Sequence, residues 1–283
     1  MDGELGLAYV APPAALAELV TVFYHFRAEG ARFDDIERAD HAQLRFLMTT
    51  APARYHFADG TVQEAPAFQI LGPTTGPTRV VVEGPVELFG CGLLPAGWST
   101  LMGLDASVLS NRVLDPVSLF GSGVRATGHL LRAAPDFAAR VEIITALAVQ
   151  LLDRIDRSRF TFAQAVDAWL AASASPEVDD LTATLGLSRR QVERQCKRLY
   201  GAPPKLVARK YRALRAASAL ARGVPAGELL DGFYDQSHLI REVKQFTGVT
   251  PGRLPRGEGR LARLTVEGRS RLAGQVPVLV SGT

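Results

Sequence analysis

The residues best suited to chemistry in this chain lie along one side of a short segment late in the sequence. In SRRQVERQCKRLYG, from Ser188 to Gly201, helical spacing puts Val192, Cys196 and Leu199 on one face and Arg190, Glu193, Arg194 and Lys197 on the other. A guanidinium can donate in pairs to guanine O6 and N7, and a carboxylate can accept from cytosine N4. Each good pair discriminates between bases by roughly 1–3 kcal/mol. Arg189 and Arg198 flank the same face, where basic side chains meet phosphates and fix register without reading sequence. A second segment, QSHLIREVKQFTG, turns Leu239, Val243 and Phe246 inward and leaves Gln236, Ser237, His238, Arg241 and Lys244 near the exposed side. Gln suits adenine, Arg suits guanine and Lys suits phosphate. An isolated charged helix face is ordinarily a solvated surface, and what alters that reading here is concentration. From Ser188 to Arg222 there are 11 Lys and Arg against a single acid, Glu193, so few i,i+4 acid partners exist to neutralise them.

The elements that must hold these side chains are themselves legible. Ser188 is a good N-cap, because its hydroxyl can accept from an otherwise unpaired amide of the first turn. Gly201 closes the helix as the residue that tolerates a left-handed cap. Upstream, DDLTATLG reads as helix and Gly turn, and downstream the chain continues into a connecting helix near Arg215. ELLDGFYDQSHLIREVKQFTGVTPGRL, residues 228–254, repeats the helix, turn, helix plan, with Phe233 a core anchor at the turn. Two such units in tandem predict a protein that grips two neighbouring segments of a DNA major groove.

The rest of the chain must carry and control that module. Residues 1–125 hold 8 basic and 14 acidic side chains, residues 126–178 hold 5 and 6, and residues 179–283 hold 19 and 9. Positive charge concentrated at one end fits a polyanion-binding module joined to an acidic partner domain. Runs such as LVTVFYHF, QLRFLMTT, TRVVVEG and VELFGCGLL, separated by Pro and Gly, predict strands, with a tight hairpin at Asp59 and Gly60. The fold class expected is α+β: a β-rich sandwich or barrel-like N-terminal domain with some helices (1–125), then an all-α C-terminal domain with two helix-turn-helix units (175–255). Between them lies a helical connector (126–174), which includes a further helix from Thr161 to Ala172. From near Pro135, Phe137, Val141, Ile144, Ala148, Leu151 and Ile155 alternate at four and three. That stripe serves either a coiled-coil seam between two copies or packing on the chain's own domain. The tail, 256–283, is rich in Arg, Gly and Pro and is expected to be flexible.

Residues Asp179 to Leu254 resemble the C-terminal module of the AraC/XylS family of transcriptional regulators, most specifically in the pattern GF..QSH..R..K..TG.TP. A weaker likeness over Leu71 to Gly121 resembles the sensory N-terminal domain of one subgroup. The resemblance implies two recognition helices in successive major-groove segments and an N-terminal domain for effector binding, dimerisation or both. Two departures from the family pattern stand out. GVPAGELLDGF, from Gly223 to Phe233, is short by about one helical turn, and Cys196 stands where the family carries a large aromatic residue.

Other classes fare less well. His25, His41, His56 and His129 show no close HxH or HxxxE spacing, and no nucleophile elbow or phosphate-cradling loop appears. Cys91, in LFGCGLL, reads as a small buried hydrophobe rather than an activated thiol. No cofactor, metal or catalytic residue is expected. The two cysteines form no disulfide framework, and no leader or membrane span is evident, so the expected location is cytoplasmic. Expected partners are double-stranded DNA, a small-molecule effector, a second copy of the chain, and RNA polymerase if the protein activates. The competing reading is a co-regulator whose autonomous DNA binding is weakened and which works through a protein partner. Phe68, Phe89 and Trp98 fit core packing better than a ligand pocket.

Overall fold

The computed structural model describes residues 4–150, 152, 157–253 and 260–283. Among the described residues, ten strands form two antiparallel sheets. One has the order β1 (Leu5–Val10), β2 (Val20–Ala28), β9 (Val86–Leu93), β4 (Ala42–Leu47), β7 (Phe68–Leu71), β10 (Val113–Leu114). The other has the order β3 (Phe33–Glu37), β8 (Thr78–Val82), β5 (Ala53–Phe57), β6 (Val62–Glu64). The Asp59–Gly60 turn joins β5 to β6, and Gly60 adopts φ 84°, a region that glycine enters without strain.

The larger sheet is buried on both faces, which is why its strands read as almost unbroken apolar runs. Tyr24, Phe26, Leu47, Leu71 and Leu88 meet Phe33, Tyr55, Phe57, Val80 and Val82 of the smaller sheet. The alternate residues, Phe23, Phe46, Phe68, Ile70, Phe89 and Cys91, pack against the helices α1 (Pro95–Met102), α3 (Val124–Ala133) and α4 (Phe137–Val149). A short α2 (Val117–Phe120) lies between α1 and α3. Phe68, Phe89 and Trp98 belong to this core. The four-and-three stripe of α4 is also spent there, since Val141, Ile144 and Ala148 are buried against the sheet. Leu151 and Ile155, the last two positions of that stripe, lie outside the described residues.

The helical half runs α5 (Arg157–Ala172), α6 (Val178–Leu185), α7 (Arg189–Tyr200), α8 (Pro204–Ala221), a single 3-10 turn (Ala226–Leu229) and α9 (Gln236–Thr247). The α6–α7 unit has one core, in which Cys196 is buried together with Trp169, Leu181, Tyr200 and Tyr211. The second unit packs Leu239 and Val243 on Ala216, Ala217 and Leu220. Its first helix is reduced to that 3-10 turn, which has no fully buried residue and lays only partly buried Ala226 and Leu229 on this core. No helix among the described residues is long and apolar enough to cross a membrane.

The tail corrects an expectation. Instead of a flexible end, its described part forms α10 (Arg260–Ser270) and α11 (Val278–Ser281), and both pack. Leu261 joins the core between the two sheets, Leu272 and Val280 meet Val22 and Leu94, and Leu279 enters the α6–α7 core. These apolar positions are diluted by Arg and Gly in the sequence, and the surfaces that bury them lie far away along the chain.

Candidate nucleic-acid interface

The helix α7 is pinned at both ends. Gln191 N–H donates to Ser188 Oγ while Ser188 N–H donates to Gln191 Oε1 (2.9 Å), a reciprocal capping box, and Gly201 ends the helix at φ 75°. Val192, Cys196 and Leu199 are buried as their spacing requires, and Arg190, Arg194, Lys197 and Arg198 stand exposed on the other side. Arg189 is exposed too, but it also lies 3.7 Å from half-buried Glu193 and 3.6 Å from Asp179 of α6. Those two ion pairs are surface contacts of small worth, so both Arg189 and Glu193 stay available to an approaching duplex.

The helix α9 is capped by Asp235, whose carboxylate accepts from His238 N–H at 2.6 Å. Leu239, Val243 and Phe246 are fully buried, and Gln236, Ser237, Arg241 and Lys244 are exposed. His238 departs from that outward row. Its Nδ1 accepts from Tyr234 N–H (3.2 Å), its Nε2 faces Glu242 Oε1 at 3.5 Å, and its ring stacks edge-on with Phe233. Nδ1 thus helps to shape the turn before α9, and Nε2 stands beside the Glu242 carboxylate.

Glu242 was not singled out in the sequence, yet it fastens α9 to α8. Its carboxylate is only 2% exposed and accepts from Arg209 Nε (2.6 Å) and from Arg212 Nη2 (2.6 Å). Burial acts to raise its pKa, but the two guanidinium hydrogen bonds outweigh it and hold the carboxyl below its ordinary value. Lys205 and Arg209 of α8 line a crevice of about 420 Å³ with Arg189 and His238, between the two units. These α8 cations were visible only as part of the basic run, because the connecting helix has no reading-helix pattern to single them out.

The N-terminal half offers a different kind of site. A cavity of about 60 Å³ between the sheets and α10 is lined by Tyr24, Phe26, Arg38, Asp40, Arg45 and Arg269, among others. Arg45 pairs with Glu37 through two hydrogen bonds (2.7 and 2.9 Å), and Arg269 reaches from the tail to Asp40 (3.1 Å to Oδ1). Burial opposes ionisation of Asp40, but Arg269 and Arg38 hold its carboxyl well below the usual range. Arg38 donates to the carbonyls of Ala39 and Thr283, and Nε of both Arg38 and Arg269 has no hydrogen-bond partner among the described residues. Among the described residues no three His, Cys, Asp or Glu side chains converge in a way that would hold a metal ion.

Comparison with known families now bears on both halves. Residues 181–257 match a family described as "Helix-turn-helix domain". Together with the two capped, outward-basic helices, that match is decisive. The C-terminal part of the chain is an AraC-type helix-turn-helix domain, the DNA-binding part of a transcription regulator. Residues 8–115 match a "Domain of unknown function (DUF6597)", which spans both sheets of the AraC-type chain. No curated protein matches it in sequence. Among solved structures it is similar to ToxT from Vibrio cholerae O395 bound to (E)-4-(8-methylnaphthalen-1-yl)but-3-enoic acid, at 9% identity, covering 93% of this chain and 100% of that one with a TM-score of 0.45. It is also similar to the AraC-like transcriptional activator CuxR (15% identity, 72% and 79% covered, TM-score 0.31). A third likeness is to a cupin domain from Bordetella pertussis Tohama I (9% identity, 33% and 96% covered, TM-score 0.24). Likenesses of this order carry no residue-level correspondence.

Proposed function

We propose that this AraC-type regulator reads two adjacent major-groove segments, one with α7 and one with α9. The observation that carries the reading is the row Arg190, Arg194 and Lys197, exposed directly opposite three buried apolar side chains on a helix capped at both ends. On α9 the readers are Gln236, Ser237 and Arg241, with Lys244 toward the backbone. Lys205 and Arg209 sit between the two helices, where a phosphate strand crosses from one groove segment to the next.

A small-molecule effector would enter at the cavity lined by Arg38, Arg45 and Arg269 with their partners Glu37 and Asp40. Asp40, which also lines it, accepts Lys210 Nζ from α8 on its carbonyl (2.7 Å), so a ligand there acts on the DNA-binding half through one residue. Self-association, where it occurs, uses a surface other than Val141, Ile144 and Ala148, which the chain's own core covers. Burial pushes the Cys91 thiol up to about 12, far from the reactive thiolate that a cysteine-based alkyl transfer would need.

A second reading is favoured by one feature, the 3-10 turn that replaces the first helix of the α9 unit. On that reading the chain is a co-regulator that binds DNA weakly and is recruited by a protein partner. Mobility-shift titration of the full chain against a pool of duplexes at two salt concentrations separates the two. Autonomous reading yields specific complexes whose log affinity falls with log salt by about 0.9 per neutralised phosphate. Arg194→Ala relaxes preference at one base position, and Lys197→Ala weakens all sequences alike. Indifference to duplex sequence, or an Arg194→Ala variant with unchanged preference, overturns the assignment.

A further inference from the structure

The α9 unit has lost the helix that normally braces a reading helix, yet α9 is not loosely held. In the first unit α6 supplies that brace with fully buried Leu181. In the second, the N-terminal domain occupies the corresponding role at the far end of the helix. Ala39 N–H donates to the Phe246 carbonyl at 2.7 Å, and the Phe246 ring is fully buried with Ala39, Ala213 and Leu214. Gly248, in the left-handed conformation at φ 76°, lies so close to the N-terminal domain that a Cβ there would sit 2.8 Å from Ile36 and 3.0 Å from Pro77.

The same loop reaches the first unit. A Cβ on Gly201, the residue that closes α7, would lie 2.6 Å from Pro73 and would collide with Ser110 Oγ, and Ser110 Oγ–H donates to the Gly201 carbonyl at 2.9 Å. Midway along the loop, the Thr74 carbonyl accepts from Lys210 Nζ of α8 at 3.0 Å. Residues 73–77, between β7 and β8, therefore touch the end of α7, the middle of α8 and the end of α9 in turn. The N-terminal domain touches the two reading helices at their C-terminal ends. Their first two turns, with Arg190, Arg194, Gln236, Ser237 and Arg241, are exposed, and the N-terminal parts of such helices are what meet base edges in a groove.

We infer that the 73–77 loop, with Ile36 and Ala39, sets the distance and angle between α7 and α9, so that the N-terminal domain is a positioning part of the DNA-reading surface. The inference rests on the two-helix reading proposed above. Its consequence is a strict requirement on the spacing of the two DNA segments. One extra base pair moves the second segment by about 3.4 Å and turns it by roughly 35°, which a fixed pair of helices cannot follow.

The test uses the full chain and duplexes it selects from a random pool. Binding and hydroxyl-radical footprints are measured on the selected site and on versions with one base pair inserted or removed between its two segments. The wild type protects both segments and loses at least about tenfold in affinity on each altered spacing, the worth of one or more good base contacts. Ile36 lies on β3, an edge strand, and is only partly buried, so Ile36→Glu disturbs the contact with Gly248 without opening a core. That variant keeps protection of the α7 segment, loses protection of the α9 segment, and binds all three spacings within about twofold of one another, while Ile36→Val restores the wild-type pattern. An Ile36→Glu chain that keeps both footprints and the full spacing penalty overturns the brace. So does one that binds more tightly with a longer footprint, because the N-terminal domain would then obstruct α9; Arg241 and Lys244 share an open groove of about 640 Å³ with Asp59 and Pro77, where such obstruction would occur. A wild type with no specific footprint refutes the two-helix reading itself, a result distinct from either outcome in the variant.

Discussion

Replacing Asp167 by Asn makes the α6–α7 unit more stable, by an amount that depends on pH. Asp167 lies on α5, and its Oδ1 accepts from the Tyr200 hydroxyl at 2.7 Å at the end of the first reading helix. Burial raises its pKa from 3.8 to about 6, the Tyr200 hydrogen bond offsetting only part of the effect. A carboxyl whose pKa is raised on folding binds its proton more tightly in the native state. The stability it allows is fully present below pH 3.8 and is lost as pH rises through about 6. The shift of about two units corresponds to about 3 kcal/mol at pH 8, and linkage leaves about half of that cost already present at pH 5. Asn accepts the same hydroxyl and carries no charge, so Asp167→Asn removes the cost and keeps the bond. Urea unfolding followed by circular dichroism then shows a gain near 3 kcal/mol at pH 8 and about 1.5 kcal/mol at pH 5. DNA affinity stays unchanged, since Asp167 is not on the outward face of α7. A gain that is equal at both pH values, or a loss at either, refutes the reasoning, because it would mean that Asp167 is not a carboxylate ionised against its surroundings.

Three further outcomes follow from the structure. Glu87 is buried enough to raise its pKa, but hydrogen bonds from Arg140 and His25 bring it from 4.5 to about 2; it therefore contributes up to about 3 kcal/mol above pH 4.5 that disappears as pH falls toward 2, and the stability deficit of Glu87→Gln in urea shrinks over that window. Ser188→Ala removes one half of the capping box and costs about 1 kcal/mol, measured as a lowered urea midpoint, with weaker DNA binding because α7 frays at its reading end. Arg269→Ala removes the guanidinium that is hydrogen-bonded to the Asp40 carboxylate and leaves it the donors of His41 and Gln43, which costs about 3–5 kcal/mol for a broken buried pair; thermal unfolding that moves by less than a degree would show that the tail does not hold the two sheets.

Both reading helices were legible because everything that defines them lies within a few residues. The Ser188 cap and Gly201 stop border the triad Val192, Cys196, Leu199, and the triad Leu239, Val243, Phe246 likewise lies within a single helix. The strands were legible for the same reason: runs such as Thr78–Val82 and Val86–Leu93 announce themselves by β-branched and aromatic content between turns. The shortened second unit was also visible, as missing length before Phe233, and it became a 3-10 turn. What the sequence left open is what those elements lean on. The α4 stripe suited a partner copy as well as its own sheet, since an apolar face does not name the surface that covers it. His238 carries a reading helix's spacing, but the Tyr234 amide and Glu242 engage its ring. The tail looked flexible because no local period marks it; its order comes from pairs such as Arg269 with Asp40, 229 residues apart. The same holds for the loop at 73–77 against Gly201 and Gly248. Caps and periods are decided by neighbours along the chain, whereas docking is decided by complementarity of shape and charge between surfaces that exist only once the separate elements have folded.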